Sequence, residues 1–309
     1  MEFFRIRRDI PFMKHALVFN VISLITFLLA VVFLATRGLN LGVDFRGGTV
    51  IEIVYGHAAD LSRVREAIDK MNLGEFAVQS FGSSNSALIR LPLKEGVSTA
   101  QLSEQVMGAL KADDPSVTQQ RVEFVGPQVG RELYENGALA LLLVCIGIVA
   151  YLAMRFEWRF AVSAIAANLH DIVIILGFFA VFQWEFSLPV LAALLTIIGF
   201  SVNDTIVAYD RLRENRTKGS QRGKTFATQM NDAVNQTLSR TVLTSLTVFF
   251  STAILLFLGG KVLHDFAFVL FVGVITGTYS TTYIAAALVV DWTIYVEGRR
   301  RGKKAMAKA

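Results

Sequence analysis

The stretch LPVLAALLTIIGFSVNDTIVAY, residues 188–209, is long and apolar enough to cross a bilayer as a helix, yet it carries Asn203 and Asp204 with no charged neighbour beside them. An ionisable side chain in hydrocarbon is costly, and residues kept there commonly mark a proton or ion path. The plainer alternative is a carboxylate near the helix end that only hydrogen-bonds an adjacent helix. The rest of the chain supplies the setting in which the two are weighed.

Hydrophobic residues make up 53% of the 309 residues and charged residues 18%, and the apolar ones gather in long blocks, which is not how a soluble globular domain is built. The net charge of +5 could suit nucleic acid, but Arg and Lys sit beside apolar blocks, so membrane orientation explains them and no nucleic-acid partner is expected. Cys145, the sole cysteine, lies inside an apolar run and excludes an intrachain disulfide.

Six blocks have spanning length: residues 16–35, 137–154, 160–182, 188–209, 241–258 and 266–290. The first has no clear small-residue cleavage site after it and is expected to stay as a helix. Basic residues precede the first block (Arg5, Arg7, Arg8, Lys14), join the second to the third (Arg155, Arg159), and follow the fourth (Arg211 to Lys224) and the sixth (Arg299 to Lys304). The connections QWEFS and GGKVLHD are nearly free of them, so both termini are expected on the cytoplasmic side. The expected organisation is a cytoplasmic N-terminus (1–15), helix 1 (16–35), an exported domain (36–136), helices 2–6 (137–290) with a cytoplasmic loop at 210–240, and a basic tail (291–309) suited to anionic lipid.

The exported segment reads β-α-β-β-α-β. TVIEIVY alternates like a strand, residues 60–71 place Leu61, Val64, Ile68 and Met71 on one helical face, FAVQSF and ALIRLPL flank the turn GSSNS, a second helix starts at Ser98 or Thr99, and VTQQRVEFV closes the set. That order predicts a ferredoxin-like α+β domain, a four-stranded antiparallel sheet with two helices on one face. The fold class is therefore a polytopic α-helical membrane protein with six transmembrane helices and one such exported domain.

Catalytic motifs are absent: no GxxxxGK[ST], no HExxH, and no spaced Cys and His set, so neither ATP hydrolysis nor metal binding is expected. GVDFRGGT precedes a strand and fits a tight turn or bulge better than a phosphate cradle. Six spans with Ser201, His170 and the pair Tyr209-Asp210 superficially suit intramembrane proteolysis, but Ser201 has no GxSG frame and no GxGD accompanies the pair. A relay is the better reading. Asp171 lies near the middle of the third block with Asn168 on the same face, while His170, adjacent in sequence, is expected to point elsewhere. Arg240 opens the fifth block with Thr244 one turn on, both able to face one neighbour; Arg240 starts near the cytoplasmic level of Asp204 and could reach it, or could be an orientation anchor only.

LGVDFRGGT after the first block, GPQVGREL before the second, LHD in the third, GFSVNDTIVAYDRLREN closing the fourth and LSRTVLTSLT at the fifth together resemble the SecD/SecF family of protein-export membrane subunits, of the RND superfamily. The resemblance implies that Asp204 is the proton-carrying carboxylate and Arg240 its switching partner, with Asp171 and Asn203 as supporting polar residues; Thr244 joins the expected relay by its spacing from Arg240. It implies structural or hinge work for the signature turn Asp44, Arg46, Gly47 and Gly48. By the same resemblance protons would be the coupling ion, and no cofactor is expected. Six helices are half of the arrangement expected of such transporters, and no internal repeat supplies the other half. The implied partners are a SecD subunit, the SecYEG channel with YajC and YidC, preproteins and membrane lipid, in a bacterial inner membrane. Two rival functions stay open: half of a small-molecule or lipid exporter, and a non-catalytic scaffold held by helix packing such as the Gly273 and Gly277 pair.

Overall fold

In the computed structural model, which describes residues 9–74, 76–81, 83–92, 98–219 and 223–306, six helical spans support one small α+β domain. Arg5, Arg7, Arg8, Gly82 and Arg222, and the side chains of Arg299 to Lys304, lie outside what is described. The chain runs α1 (Phe12–Arg37), β1 (Asn40–Leu41), α2 (Val43–Arg46), β2 (Gly48–Val54), α3 (Leu61–Asp69), β3 (Ala77–Ser80), β4 (Ser86–Leu91), α4 (Thr99–Asp113) and β5 (Thr118–Val125). It continues as α5 (Pro127–Arg155), α6 (Trp158–Phe182), β6 (Glu185–Phe186), α7 (Leu188–Thr217), α8 (Phe226–Leu258) and α9 (Lys261–Ser280). The last helix passes through a π turn, Thr281–Ala285, into α10 (Ala286–Met306).

The small domain forms where alternation and capping direct it. β2 pairs antiparallel with β4 on one side and β5 on the other, and β3 pairs with β4, giving the order β3-β4-β2-β5 of the expected ferredoxin-like sheet. The Asp60 carboxylate accepts from Ser62 N and Arg63 N at the start of α3, and Ser98 and Gln101 form a capping box on α4. Ile51, Ile53 and Ile89 from the sheet close over Val64, Ile68, Val106 and Leu110 from the helices. Each such side chain contributes about 2 kcal/mol on burial, enough together to hold a domain of this size.

The bundle is packed inside and bare outside. α6, α7 and the last span, α9 continuing into α10, are its most buried members, and α6 and α7 supply Phe179, Val190, Ala193 and Ile197 at one end and Ala164, Tyr209 and Leu212 at the other. Leu17, Leu24 and Leu28 of α1 and Leu139, Leu142 and Ile146 of α5 are exposed, faces that hydrocarbon covers in a membrane protein.

Boundaries differ from expectation at the charged end. The segment expected as a loop over 210–240 is mostly helix, since α7 continues to Thr217 and α8 begins at Phe226. Glu214 explains the extension by accepting from Arg211 at 2.9 Å and Lys218 at 2.6 Å, pairs that support helix in water. Likewise α10 runs to Met306, into the segment expected as a tail.

α9 crosses α7 closely. A Cβ added at Gly273 would collide with the Ile197 side chain. Gly273→Leu is therefore expected to lose about 1–3 kcal/mol of stability in a bilayer unfolding titration; an unchanged midpoint would contradict this contact.

Candidate functional site

Two polar groups occupy the apolar interior of the bundle, both built around α7. In the first, the Asp171 carboxylate of α6 accepts from Ser201 Oγ of α7 at 2.9 Å and from Ser280 Oγ, the last residue of α9, at 2.6 Å. His170 is not turned away as expected: its Nδ1 lies 3.2 Å from Asp171 Oδ1. Side chains adjacent on a helix diverge by about 100°, but the imidazole is long enough to fold back along the helix and meet the carboxylate. Ser201 thus serves Asp171, and among the described residues no hydrogen bond joins it to the histidine that a nucleophile would need. One turn along α7, Thr205 Oγ1 is 2.9 Å from Thr281 Oγ1, and one turn further Tyr209 OH donates to Ala285 O at 3.1 Å. The face Ser201, Thr205, Tyr209 therefore clasps the π turn, where the lost helical register presents backbone to side chains.

The second group is Asp204. It is 3% exposed, and its Oδ2 has no hydrogen-bond partner. Arg240 of α8 is near enough for its charge to act on the carboxyl, yet no direct ion pair joins them among the described residues. Arg240 is exposed and lines a cleft of about 600 Å³ with Val207, Asp210, Gln236 and Thr237, bounded by the arginine-rich end of the bundle. Arg155 closes one side of that cleft on Asp210, at 2.6 Å. Asn203 and Thr244 are also exposed, and the Thr244 hydroxyl donates to the carbonyls of Arg240 and Thr241 in its own helix, both at 3.0 Å. The structure thus keeps Asp171 and Asp204 inside and leaves Asn203, Arg240 and Thr244 on an outer surface. Asn168, on the Asp171 face, is buried with its amide nitrogen unpartnered. Ser280, Thr281 and Thr205 escaped the sequence reading; the signal present was a run of three hydroxyls, Ser280 to Thr282, in an apolar block.

At the opposite end of α7 the signature turn makes a joint. Asp44 Oδ2 accepts from Leu188 N at 3.0 Å, capping the first turn of α7. β1 pairs in parallel with β6, Gly42 N donates to Phe186 O at 2.9 Å, and the rings of Phe45 and Phe186 stack at 5.7 Å. Gly47 and Gly48 have φ of 77° and 152°, and a side chain at Gly48 would run into the Leu91 carbonyl. Arg90 of β4 pairs with Glu185 beside a cavity of about 650 Å³ that Arg46 also lines. Burial pulls Arg90 down from the usual guanidinium value, with the charges of Asp44 and Asp265 opposing the shift. Sheet domain and α7 therefore share one rigid attachment.

Comparison with known proteins bears on what this frame serves. Residues 105–294 match the family described as protein export membrane protein SecD/SecF, C-terminal, and residues 32–59 match the SecD/SecF GG motif. A protein translocase subunit SecF from Calditerrivibrio nitroreducens is 42% identical, over 94% of this chain and 96% of the relative. The chain belongs to the SecF branch of the SecD/SecF protein-export family. A SecF subunit from Vibrio alginolyticus is also 42% identical, over 96% of this chain and 94% of its own length. The crystal structure of SecDF from Thermus thermophilus, a translocon-associated membrane protein, superposes with a TM-score of 0.83 at 37% identity, covering 94% of this chain. This chain spans only 39% of that SecDF chain. SecD/SecF membership carries a role as a protein translocase subunit, a transport role, as the sequence resemblance implied. The GG motif match contains the joint just described, Asp44 to Gly48.

Two outcomes follow for the joint. Asp44→Ala is expected to speed amide exchange at the first turn of α7 and cost about 1 kcal/mol, with Asp44→Asn retaining most of the cap; equal exchange in all three proteins would remove the capping role. For Arg90 and Glu185, a double-mutant cycle with Arg90→Met and Glu185→Gln is expected to give a coupling of about 1–3 kcal/mol, and additive losses would show the pair to be incidental.

Proposed function

We propose that this chain, with a SecD subunit, couples proton flow to a late stage of preprotein export across the bacterial cytoplasmic membrane, with Asp204 as the carboxyl that loads and releases the proton. The observation that carries this reading is a buried carboxyl oxygen without a partner, in a span next to a cationic side chain that is near but not bonded. A carboxylate in that position is tolerated when it exchanges a proton or gains an ion pair, and Arg240 offers the second state. Protonated, Asp204 is neutral and Arg240 stays in the cleft with water; ionised, Asp204 draws the guanidinium inward. Helix α8 would then shift against α7, and α7 is fastened to the sheet domain through Asp44 and Glu185.

The exposed set Asn203, Arg240 and Thr244 supports a second subunit, because polar side chains at membrane depth are kept where protein covers them. SecD is the subunit proposed for that surface, in line with a solved SecDF chain more than twice as long as this one. The assembly would work beside the SecYEG channel, with YajC and YidC as further associates and preproteins as its cargo. Both termini would be cytoplasmic and the sheet domain exported, since the cleft that Arg240 lines lies at the arginine-rich end of the bundle. Each proton crossing the field supplies about 2.3 kcal/mol per 100 mV, enough to bias a two-state motion.

Asp204→Asn keeps shape and removes the titrating group. It is expected to abolish the proton-gradient-dependent part of export in inverted vesicles while leaving the ATP-driven part and subunit abundance unchanged. Full gradient-dependent export by this variant would sink the reading.

A further inference from the structure

His170 has a nitrogen that the relay around Asp204 does not use. Its Nδ1 faces Asp171, whereas its Nε2 is buried and has no partner. The ring stacks on Phe27 of α1, centroids 6.1 Å apart, and borders a cavity of about 610 Å³ between α1, α6 and α9. That cavity is mostly apolar but carries Ser23, Thr26, Thr276 and Tyr279, with Ser23 Oγ 2.6 Å from Tyr279 OH.

An ionised carboxylate only accepts hydrogen bonds. With Asp171 ionised, three donors surround it: Ser201, Ser280 and the Nδ1–H of His170. Imidazole Nε2 is then a lone pair with nothing bonded to it, and it is the atom where one more proton adds. Addition there turns His170 into imidazolium and takes the pair from a net charge of −1 to zero, so uptake relieves an uncompensated charge in a low-dielectric interior. Around the pair are Phe27 of α1, Ser201 of α7 and Ser280 of α9, with Tyr279 of α9 on the wall of the same cavity; none of these carries a charge.

We propose that His170 and Asp171 form a second proton-binding site of the bundle, loaded at His170 Nε2 from the cavity between α1, α6 and α9, and read by the π turn through Ser280. Ser280 is the joint of that reading: its hydroxyl spans Asp171 Oδ2 at 2.6 Å and Gly277 O at 3.2 Å, immediately before Thr281 begins the π turn. A proton that neutralises the pair weakens the pull on Ser280, and the α9 to α10 register beyond it responds. The inference extends the proton-driven reading of the chain, but it concerns a different site and a different readout.

The test is nitrogen NMR of histidine in the full chain, co-assembled with SecD in lipid nanodiscs and titrated across the range where imidazole exchanges protons. The chain has four histidines, and His170→Gln assigns the signal. The expected result is Nδ1 protonated throughout, Nε2 gaining its proton as pH falls, and Nδ1 losing its bias in Asp171→Asn. Amide exchange at 281–285 should follow the same titration in the wild type and lose it in Ser280→Ala. Signals of His170 that stay constant, or that titrate identically in Asp171→Asn, would overturn the proposal. Asp204→Asn should leave the His170 titration in place, so failure of the export relay and failure of this site are separate results.

Discussion

A carboxyl group inside hydrocarbon must hold a proton, meet a cation, or be surrounded by donors, because none of its alternatives in water is available there. Asp171 takes the last course, with donors from Ser201 and Ser280 and the Nδ1 contact of His170. Asp204 takes none of them fully, for one oxygen is orphaned and the cation of Arg240 stands off. The difference is between a carboxylate whose oxygens are bonded by neighbouring side chains and one with an oxygen left unbonded. Arrangement of the remaining bundle follows from keeping both carboxyls on or against one helix.

That helix is α7. Its first amide is held by Asp44, its inner face by Asp171 and the π turn, and its far end by Arg155 on Asp210. A helix held at so many points is suited to act as one body, which is what the proposed coupling between Asp204 and the sheet domain requires. The parallel pairing of β1 with β6 and the Arg90 to Glu185 pair place the sheet domain on the receiving end. The sheet domain, with its own core, is thereby attached to the end of α7 that Asp44 caps.

Much of this was legible in the chain. Apolar block lengths fix the spans, and alternation in TVIEIVY with caps at Asp60 and Ser98 fixes the order and type of the sheet domain, because these signals are local. The extension of α7 was also written in Arg211, Glu214 and Lys218, at spacings of three and four, beyond the point where the apolar block ends. What local pattern does not carry is pairing across distance. Asn40 meets Glu185, and Arg90 the same residue, through topology alone. The approach of His170 to Asp171 was missed because helical spacing describes where a side chain starts and not how far it reaches. No periodicity announces the π turn, and Thr244 bonds its own backbone where helix geometry allowed it to face a neighbour.

In the proposed cycle, Asp204 changes protonation in the assembled membrane complex. Infrared difference spectroscopy during a pH titration of the chain co-assembled with SecD reads this directly, through the carbonyl stretch of a protonated carboxyl group. The expected spectrum has a band that grows as pH falls, vanishes in Asp204→Asn, and shifts its midpoint in Arg240→Lys. A spectrum in which Asp204→Asn removes no titrating carboxyl band would contradict it.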